Sequence, residues 1–303
     1  MDIIGLDIGG TKCAIVRAPQ GDAPVEVKRF STSSVQETLD RIYATIEAIK
    51  PGSHPVFGVS CGGPLDAERG VILSPPNLPG WDGVPITREL TSRFGGEAYL
   101  LNDANAGALA EWKYGAARGF RNVVFLTFGT GMGAGLILDS RLYEGTSGYA
   151  GEAGHIRLAA HGPVGFGKAG SFEGLCSGGG IAQLASVRSR ELGLKGDITA
   201  KEVAGAAERG NPAALELLAE VGRSLGQGLA AIIDLLNPQV IVLGSIYVRA
   251  ERFLEPTMRR VLQEETLARP LADCRVVPAA LGEEIGNYAA VAVARYRKGD
   301  FAE

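Results

Sequence analysis

The sequence predicts an α/β protein of two related lobes. Two observations carry this. Strand-like runs alternate with amphipathic helical runs along the whole chain. The order strand, glycine turn, strand also occurs twice, near 3–17 and again near 123–138.

The elements follow in order. Residues 3–8, 13–17 and 25–31 are short, partly β-branched and bounded by turn residues, so they read as strands, the first two forming a hairpin across Gly9-Gly10. Ser34 and Glu37 make a capping-box pattern, and Val35, Leu39, Ile42, Ile46 and Ile49 fall on one helical face. Pro51-Gly52 ends that helix. A strand at 56–60, a short helix through Ile86, Leu90 and Phe94, a strand at 99–101 and a helix at 104–113 complete the first cycle. The second begins with strands at 123–128 and 135–138. Helices are expected near 173–189 and 199–209, then one from Asn211, with Pro212 at its first position, to Leu236. A strand at 240–243, a helix at 250–265, a strand at 274–277 and a closing helix at 286–298 follow.

Composition narrows the function classes. The 303 residues are 46% hydrophobic and carry a net charge of -4. There is no basic stripe, which argues against nucleic acid as a partner. No apolar run reaches the ~18 residues that suggest a membrane span. The chain opens on a strand-like run without a signal-type segment, so a cytoplasmic protein is expected. Cys13, Cys61, Cys176 and Cys274 are scattered and form no C-x-x-C pair, as expected of reduced thiols. The 43 glycines cluster without a period, which marks loops where backbone approaches a ligand.

Two of those loops carry the chemistry. Asp7-Ile8-Gly9-Gly10-Thr11-Lys12 and Thr127-Phe128-Gly129-Thr130-Gly131-Met132-Gly133 each follow an apolar strand. A tight glycine turn can aim backbone N–H groups at a phosphate, a threonine adds a hydroxyl, and Lys12 adds charge. Either loop alone could be a plain hairpin turn; the pair points to a nucleotide. Asp7, at a strand end, can hold magnesium through water. No P-loop pattern is present. Gly129-x-Gly131-x-x-Ala134 matches the relaxed dinucleotide fingerprint, but that fingerprint needs a helix next, and 135–139 reads as a strand.

The combination of DIGGTK at 7–12, NDANA at 102–106, FGTGMGAG at 128–135, GEAGH at 151–155 and IVLGS at 241–245 resembles the ROK family of bacterial sugar kinases, within the sugar kinase, Hsp70 and actin superfamily. The resemblance runs through essentially the whole chain. It implies a two-lobed actin-like (ribonuclease H-like) ATPase fold with the active site in the interlobe cleft. The small lobe is expected at 1–116, completed by 288–303, and the large lobe at 117–287. It also implies ATP and Mg2+ as cofactors, with phosphate contacts from Asp7, Gly9, Gly10, Thr11, Lys12, Thr130, Gly131 and Gly133. Gly244 falls in the adenosine-binding stretch.

Asp103 stands after an apolar strand, where α/β folds collect ligands, and locally it reads equally well as a helix cap or a catalytic group. The resemblance makes it the base that takes the proton of the attacking hydroxyl. Asn77, Asn102, Asp103, Glu152, His155 and Glu173 match sugar contacts; carboxylates, amides and imidazole suit neighbouring hydroxyls. Trp81 reads as packing. The implied activity is phosphorylation of a hexose 6-hydroxyl, with glucose first and N-acetylmannosamine or N-acetylglucosamine next, in a homodimer or homotetramer. A sugar-responsive repressor of the same family would need a DNA-binding segment before the first strand, and none is expected ahead of Ile3. A non-catalytic sugar sensor is the other alternative.

One motif departs from the family. Many ROK proteins bind zinc through a histidine and three cysteines in C-x-C-G-x-x-G-C-x-E. Here Gly167, Gly170 and Glu173 keep that frame, but Val164, Phe166 and Ser171 occupy the cysteine positions. Thiolates supply most ligands of such a site, so no structural zinc is expected. Val164, Phe166 and Phe172 are expected to pack apolar surface in its place. Elemental analysis of the purified protein should find no stoichiometric zinc; one zinc per chain would overturn this reading.

Overall fold

A computed structural model describes residues 2–18 and 23–301. The chain divides into two compact units, 1–118 with 283–303, and 119–282. No helix among the described residues is long and apolar enough to cross a membrane.

In the first unit, β1 (Asp2–Ile8), β2 (Lys12–Ala18) and β3 (Val25–Ser31) form an antiparallel meander. α1 (Val35–Ile49) starts where the Ser34 side chain accepts the Glu37 N–H, and it stops at Lys50, which takes a left-handed conformation. β4 (Pro55–Cys61) pairs parallel with β1. Three short strands, β5 (Leu65–Asp66), β6 (Val71–Leu73) and β7 (Asp82–Val84), make a small antiparallel sheet that escapes sequence periodicity because each is only two or three residues long. α2 (Ile86–Phe94), β8 (Glu97–Asn102) and α3 (Asp103–Tyr114) follow. The main sheet runs β3-β2-β1-β4-β8, with β1, β4 and β8 parallel. One of its faces packs Ile4, Leu6, Ile8, Phe57 and Val59 against Leu39, Ile42 and Ile46 of α1. Trp81 is fully buried in that core.

The second unit opens with β9 (Val123–Leu126), β10 (Ala134–Leu138) and β11 (Arg141–Leu142), followed by the hairpin β12 (Val164–Gly165) and β13 (Lys168–Ala169). The helix expected at 173–189 is three helices: α4 (Phe172–Cys176), α5 (Gly178–Val187) and α6 (Ser189–Leu192). Ser177 breaks the first from the second. Its backbone is extended, and its hydroxyl caps α5 by accepting the Gly180 N–H. Next come α7 (Ala200–Glu208), with a complete capping box at Thr199 and Glu202, and α8 (Pro212–Leu236), capped by Asn211. β14 (Val240–Leu243) leads into α9 (Ile246–Glu265), which starts four residues before the expected position. No cap residue announces that start, because the Ser245 side chain makes no cap bond and is engaged by Arg249. α10 (Ala268–Asp273) and β15 (Arg275–Pro278) complete the unit. Its sheet runs β11-β10-β9-β14-β15, with β9, β14 and β15 parallel, and its core is one large apolar cluster drawn from the sheet, α4, α5 and α7–α9.

The last helix, α11 (Ile285–Arg297), covers the second face of the first unit's sheet through Val291 and Ala294. It sits close because Gly5 and Gly58, paired across β1 and β4, present no side chain to it. A Cβ on Gly58 would overlap the Ala290 carbonyl oxygen and lie 2.8 Å from the Ala294 nitrogen. Backbone cannot yield as a flexible side chain can, so Gly58→Ala should cost about 3 kcal/mol of stability. Chemical unfolding of the variant measures this; a change within about 0.5 kcal/mol would show that the helix is free to lift.

Candidate functional site

In the first unit, the carboxyl ends of β1, β4 and β8 meet at one edge of the sheet. The turn after β1 is closed by the Gly9 N–H donating to the Lys12 carbonyl at 3.1 Å. Thr32 braces it from β3's end: its hydroxyl donates to the Gly9 carbonyl at 2.6 Å and its N–H to the Thr11 carbonyl at 3.0 Å. The Gly10 and Thr11 N–H groups take no partner among the described residues, and Thr11 and Lys12 are exposed. Asn77 packs onto this turn. A Cβ on Gly10 would lie 2.8 Å from the Asn77 Cβ, and one on Gly62 would lie 3.3 Å from its Oδ1.

Asn102 ends β8, and its side chain accepts the Asn105 N–H at 2.7 Å. The cap of α3 is therefore Asn102, and Asp103 is the first residue of the helix, exposed. Asp7 lies on β1 between Ala14 and Ser60 of its neighbours. Burial first, then the Asp103 charge, push its carboxyl up to about 6, against Arg29 and Lys12. The two carboxylates are thus electrostatic neighbours at one sheet edge. Sequence reasoning missed two members of this group. Arg29 faces Asp7, and the backbone of Gly286, at the start of α11, leaves no room for a side chain against the Asp7 carboxylate. The glycine one residue into the closing helix was the only signal for the second.

In the second unit, the loop 127–133 is held from several sides. Gly178 and Gly179, at the start of α5, donate to the Gly129 and Thr130 carbonyls at 2.8 and 3.0 Å. Ile246, at the start of α9, donates to the Phe128 carbonyl at 2.9 Å. A Cβ on Gly244 would lie 2.6 Å from the Thr127 carbonyl oxygen, which places the 241–245 stretch against this loop. Within the loop, the Gly129 N–H donates to Gly131, the Gly133 N–H to the Thr127 hydroxyl, and the Met132 N–H to the Glu173 carboxylate at 2.9 Å. The Thr130 and Gly131 N–H groups remain without a partner among the described residues, beside the Thr130 hydroxyl. The Gly133 N–H is engaged inside the loop, so that residue's part is to close the turn.

Glu152, His155 and Glu173 lie together in the same unit. Burial, then the Glu173 charge, raise the Glu152 carboxyl, against His155. His155 is exposed, and its ring meets Phe166 edge-on at 6.4 Å between centroids. The expected apolar packing of the hairpin is corrected here. Val164 is 48% and Phe166 70% exposed, and of the three only Phe172 is buried. The hairpin turn causes this: Phe166 has a left-handed backbone at its tip, and Gly167 follows in the same region. Ser171 is buried and caps α4 by accepting the Gly174 N–H at 3.1 Å. No group of three or more His, Cys, Asp or Glu side chains able to hold a metal occurs among the described residues.

The raised Asp7 carboxyl has a signed consequence. Its folded-state value lies above the ordinary 3.8, so the stability it confers is fully present below that value and is lost as pH rises through about 6. Asp7→Asn should flatten that part of the stability profile and add up to about 3 kcal/mol at neutral pH without divalent cations. Chemical unfolding across this pH range checks it; an unchanged profile would show that Asp7 ionises without penalty.

Comparison with known proteins places the chain. Glucokinase from Thermotoga maritima is 29% identical over 99% of both chains. The bifunctional enzyme NanE/NanK from Brucella melitensis is 32% identical over 94% of this chain and 52% of its own. Among solved structures, the ROK hexokinase from Thermus thermophilus is 30% identical with a TM-score of 0.82, covering 99% of this chain and 100% of that one. The ROK family glucokinase from Streptomyces griseus, solved with glucose and AMPPNP, is 28% identical with a TM-score of 0.79, covering 98% and 100%. A ROK family transcriptional regulator, 22% identical with a TM-score of 0.85 over 97% of this chain and 78% of its own, shares the fold. The fold is thus that of the ROK sugar kinases, an actin-like ATPase fold. The ROK family model matches residues 3–297, and the chain belongs to the ROK family.

Proposed function

We propose that this protein is an ATP-dependent kinase that transfers the γ-phosphoryl group to the 6-hydroxyl of a hexose, with glucose the first candidate and N-acetylmannosamine or N-acetylglucosamine the alternatives. The observation that carries this reading is the shared sheet edge. It holds a carboxylate at a helix start, Asp103, beside a glycine turn with two N–H groups unpartnered among the described residues and a second carboxylate, Asp7.

In this reading Asp103 accepts the proton of the attacking hydroxyl as its oxygen bonds to phosphorus and the bond to the ADP oxygen breaks. Much of the gain is orientation, because the Asn102 cap fixes the first turn of α3 and with it the Asp103 backbone. Gly10, Thr11 and Lys12, and likewise Thr130 and Gly131, supply donors and charge to the phosphates, while Gly9 closes its turn. Gly244 borders the base and ribose. Asn77, Asn102, Glu152, His155 and Glu173 take sugar hydroxyls. Magnesium fits Asp7, held through water, since the Asp7 carboxylate is a hard oxygen ligand whose charge is crowded by Asp103 and no full protein cage surrounds it among the described residues. When bound, it neutralises charge on the phosphates. Glucokinase and NanE/NanK relatives support the activity and leave glucose and N-acetylmannosamine as competing acceptors. The regulator of the same fold is the reason to keep a non-catalytic sugar sensor as the second reading.

An ADP-release assay over glucose, mannose, fructose, allose, N-acetylglucosamine and N-acetylmannosamine should find turnover with at least one. Asp103→Asn should lower kcat by about 10³-fold or more while sugar binding persists. No turnover with any sugar would favour the sensor, and wild-type kcat in the variant would remove Asp103 as the base.

A further inference from the structure

We infer that Glu173 is a positioning residue that ties the sugar site to the loop 127–133, so that the loop's readiness for nucleotide depends on this carboxylate. The inference rests on the kinase reading and assigns Glu173 a second task within it.

The geometry is specific. Oε2 accepts the Met132 N–H at 2.9 Å, whereas Oε1 has no partner among the described residues. The side chain lies in a cradle of three glycines. A Cβ on Gly131 would lie 2.9 Å from Oε2, one on Gly154 3.2 Å from the Glu173 Cβ, and one on Gly165 2.9 Å from its Cβ and Cγ. Glu173 itself is the second residue of α4, placed there by the Ser171 cap. The carboxylate is thus delivered to the loop by a capped helix and by neighbours that lack side chains.

The hydrogen bond has a consequence for the loop. Holding the Met132 N–H fixes the peptide between Gly131 and Met132. That peptide's carbonyl accepts the Gly129 N–H at 3.0 Å. The remaining donors, the Thr130 and Gly131 N–H groups, are then left without a partner among the described residues. A sugar hydroxyl donating to Oε1 would restrict the Glu173 side chain further and lower the ordering cost of the same loop. Linkage requires the effect to be mutual: nucleotide would tighten sugar binding by the same factor.

A negative side chain near a phosphate loop also repels phosphate, which gives Glu173→Gln an expectation opposite to that of Glu173→Ala and Glu173→Asp. Glu173→Gln keeps an oxygen for Met132 and removes the charge. Glu173→Ala removes both, and Glu173→Asp keeps the charge but falls short of Met132 by one methylene.

The test is calorimetric titration of the Mg2+ complex of AMPPNP into sugar-free protein, with thermal unfolding as a check on folding. Glu173→Ala should weaken binding about tenfold, the scale of one charge-assisted hydrogen bond. Glu173→Asp should weaken it similarly, and it serves if the alanine variant does not fold. Glu173→Gln should bind as well as wild type or better, while its KM for sugar rises. Wild-type nucleotide affinity in both the alanine and aspartate variants would overturn the inference and leave Glu173 a sugar contact only. Wild-type protein that binds the analogue but phosphorylates no sugar would count against the kinase reading alone. Wild-type protein that binds no analogue would overturn both.

Discussion

The loop 127–133 can present outward donors because its inward groups are already satisfied. Backbone N–H groups without partners are costly when buried and useful when aimed at an anion. Here the Phe128, Gly129 and Thr130 carbonyls accept from the starts of α9 and α5. Those helix starts give up N–H groups that would otherwise need caps. The break at Ser177 makes this bracing possible: a continuous helix from 173 to 189 would have no N-terminus to offer the loop. Much of the second unit's topology serves this arrangement, since β14 runs directly into α9 through Gly244 and Ser245.

The first unit solves a similar problem by different means. Its glycine turn is braced from β3 by Thr32, through a hydroxyl and an N–H on two carbonyls of the turn. The charge problem is also different. Asp7 and Asp103 crowd each other, and Arg29 and Lys12 offset this only in part. A site that stores uncompensated negative charge is poorly suited to a phosphate by itself and well suited to a cation that a triphosphate brings with it. The start of α11 packs its Gly286 backbone against the Asp7 carboxylate, with no side chain between them.

Much of this was legible from sequence, and the reasons are local. The periodicity of Leu39, Ile42 and Ile46 and the cap at Ser34 made α1 readable to the residue, and Asn211-Pro212 did the same for α8. The two loops were visible because glycine, threonine and a preceding apolar strand occur together. What stayed hidden was decided by tertiary contact. The three glycines 178–180 read as loop, and only Ser177 hints at a helix start there; the Gly178 N–H is used forty-nine positions back in the chain, at Gly129. Asn102 and Asp103 are equally good caps by composition, and only the backbone distinguishes them. Gly286 is unremarkable until Asp7 is packed against it. The task of Glu173 on Met132 is equally non-local.

The hairpin 164–169 shows how a site can keep its geometry when its chemistry changes. The resemblance implies a metal that would tie this segment to His155. Val164 and Phe166 cannot ligate, and they do not form a substitute core either, since both are exposed. The hairpin is instead closed by backbone pairing, by Gln183, which binds both the N–H and the carbonyl of Val164, and by Lys168, which reaches the His155 carbonyl at 2.7 Å. Ser171, in the third cysteine position, has become the cap that starts α4. The Ser171 hydroxyl, as that cap, sets the position of Glu173 two residues later. The Glu173 carboxylate is held by a helix cap and a glycine cradle, neither of which needs a metal. The position left with the least support is the His155 ring, which has Phe166 at its edge and no hydrogen-bond partner among the described residues. The two sides thus differ: the His155 ring is exposed, whereas the Glu173 side chain is enclosed by Gly131, Gly154 and Gly165.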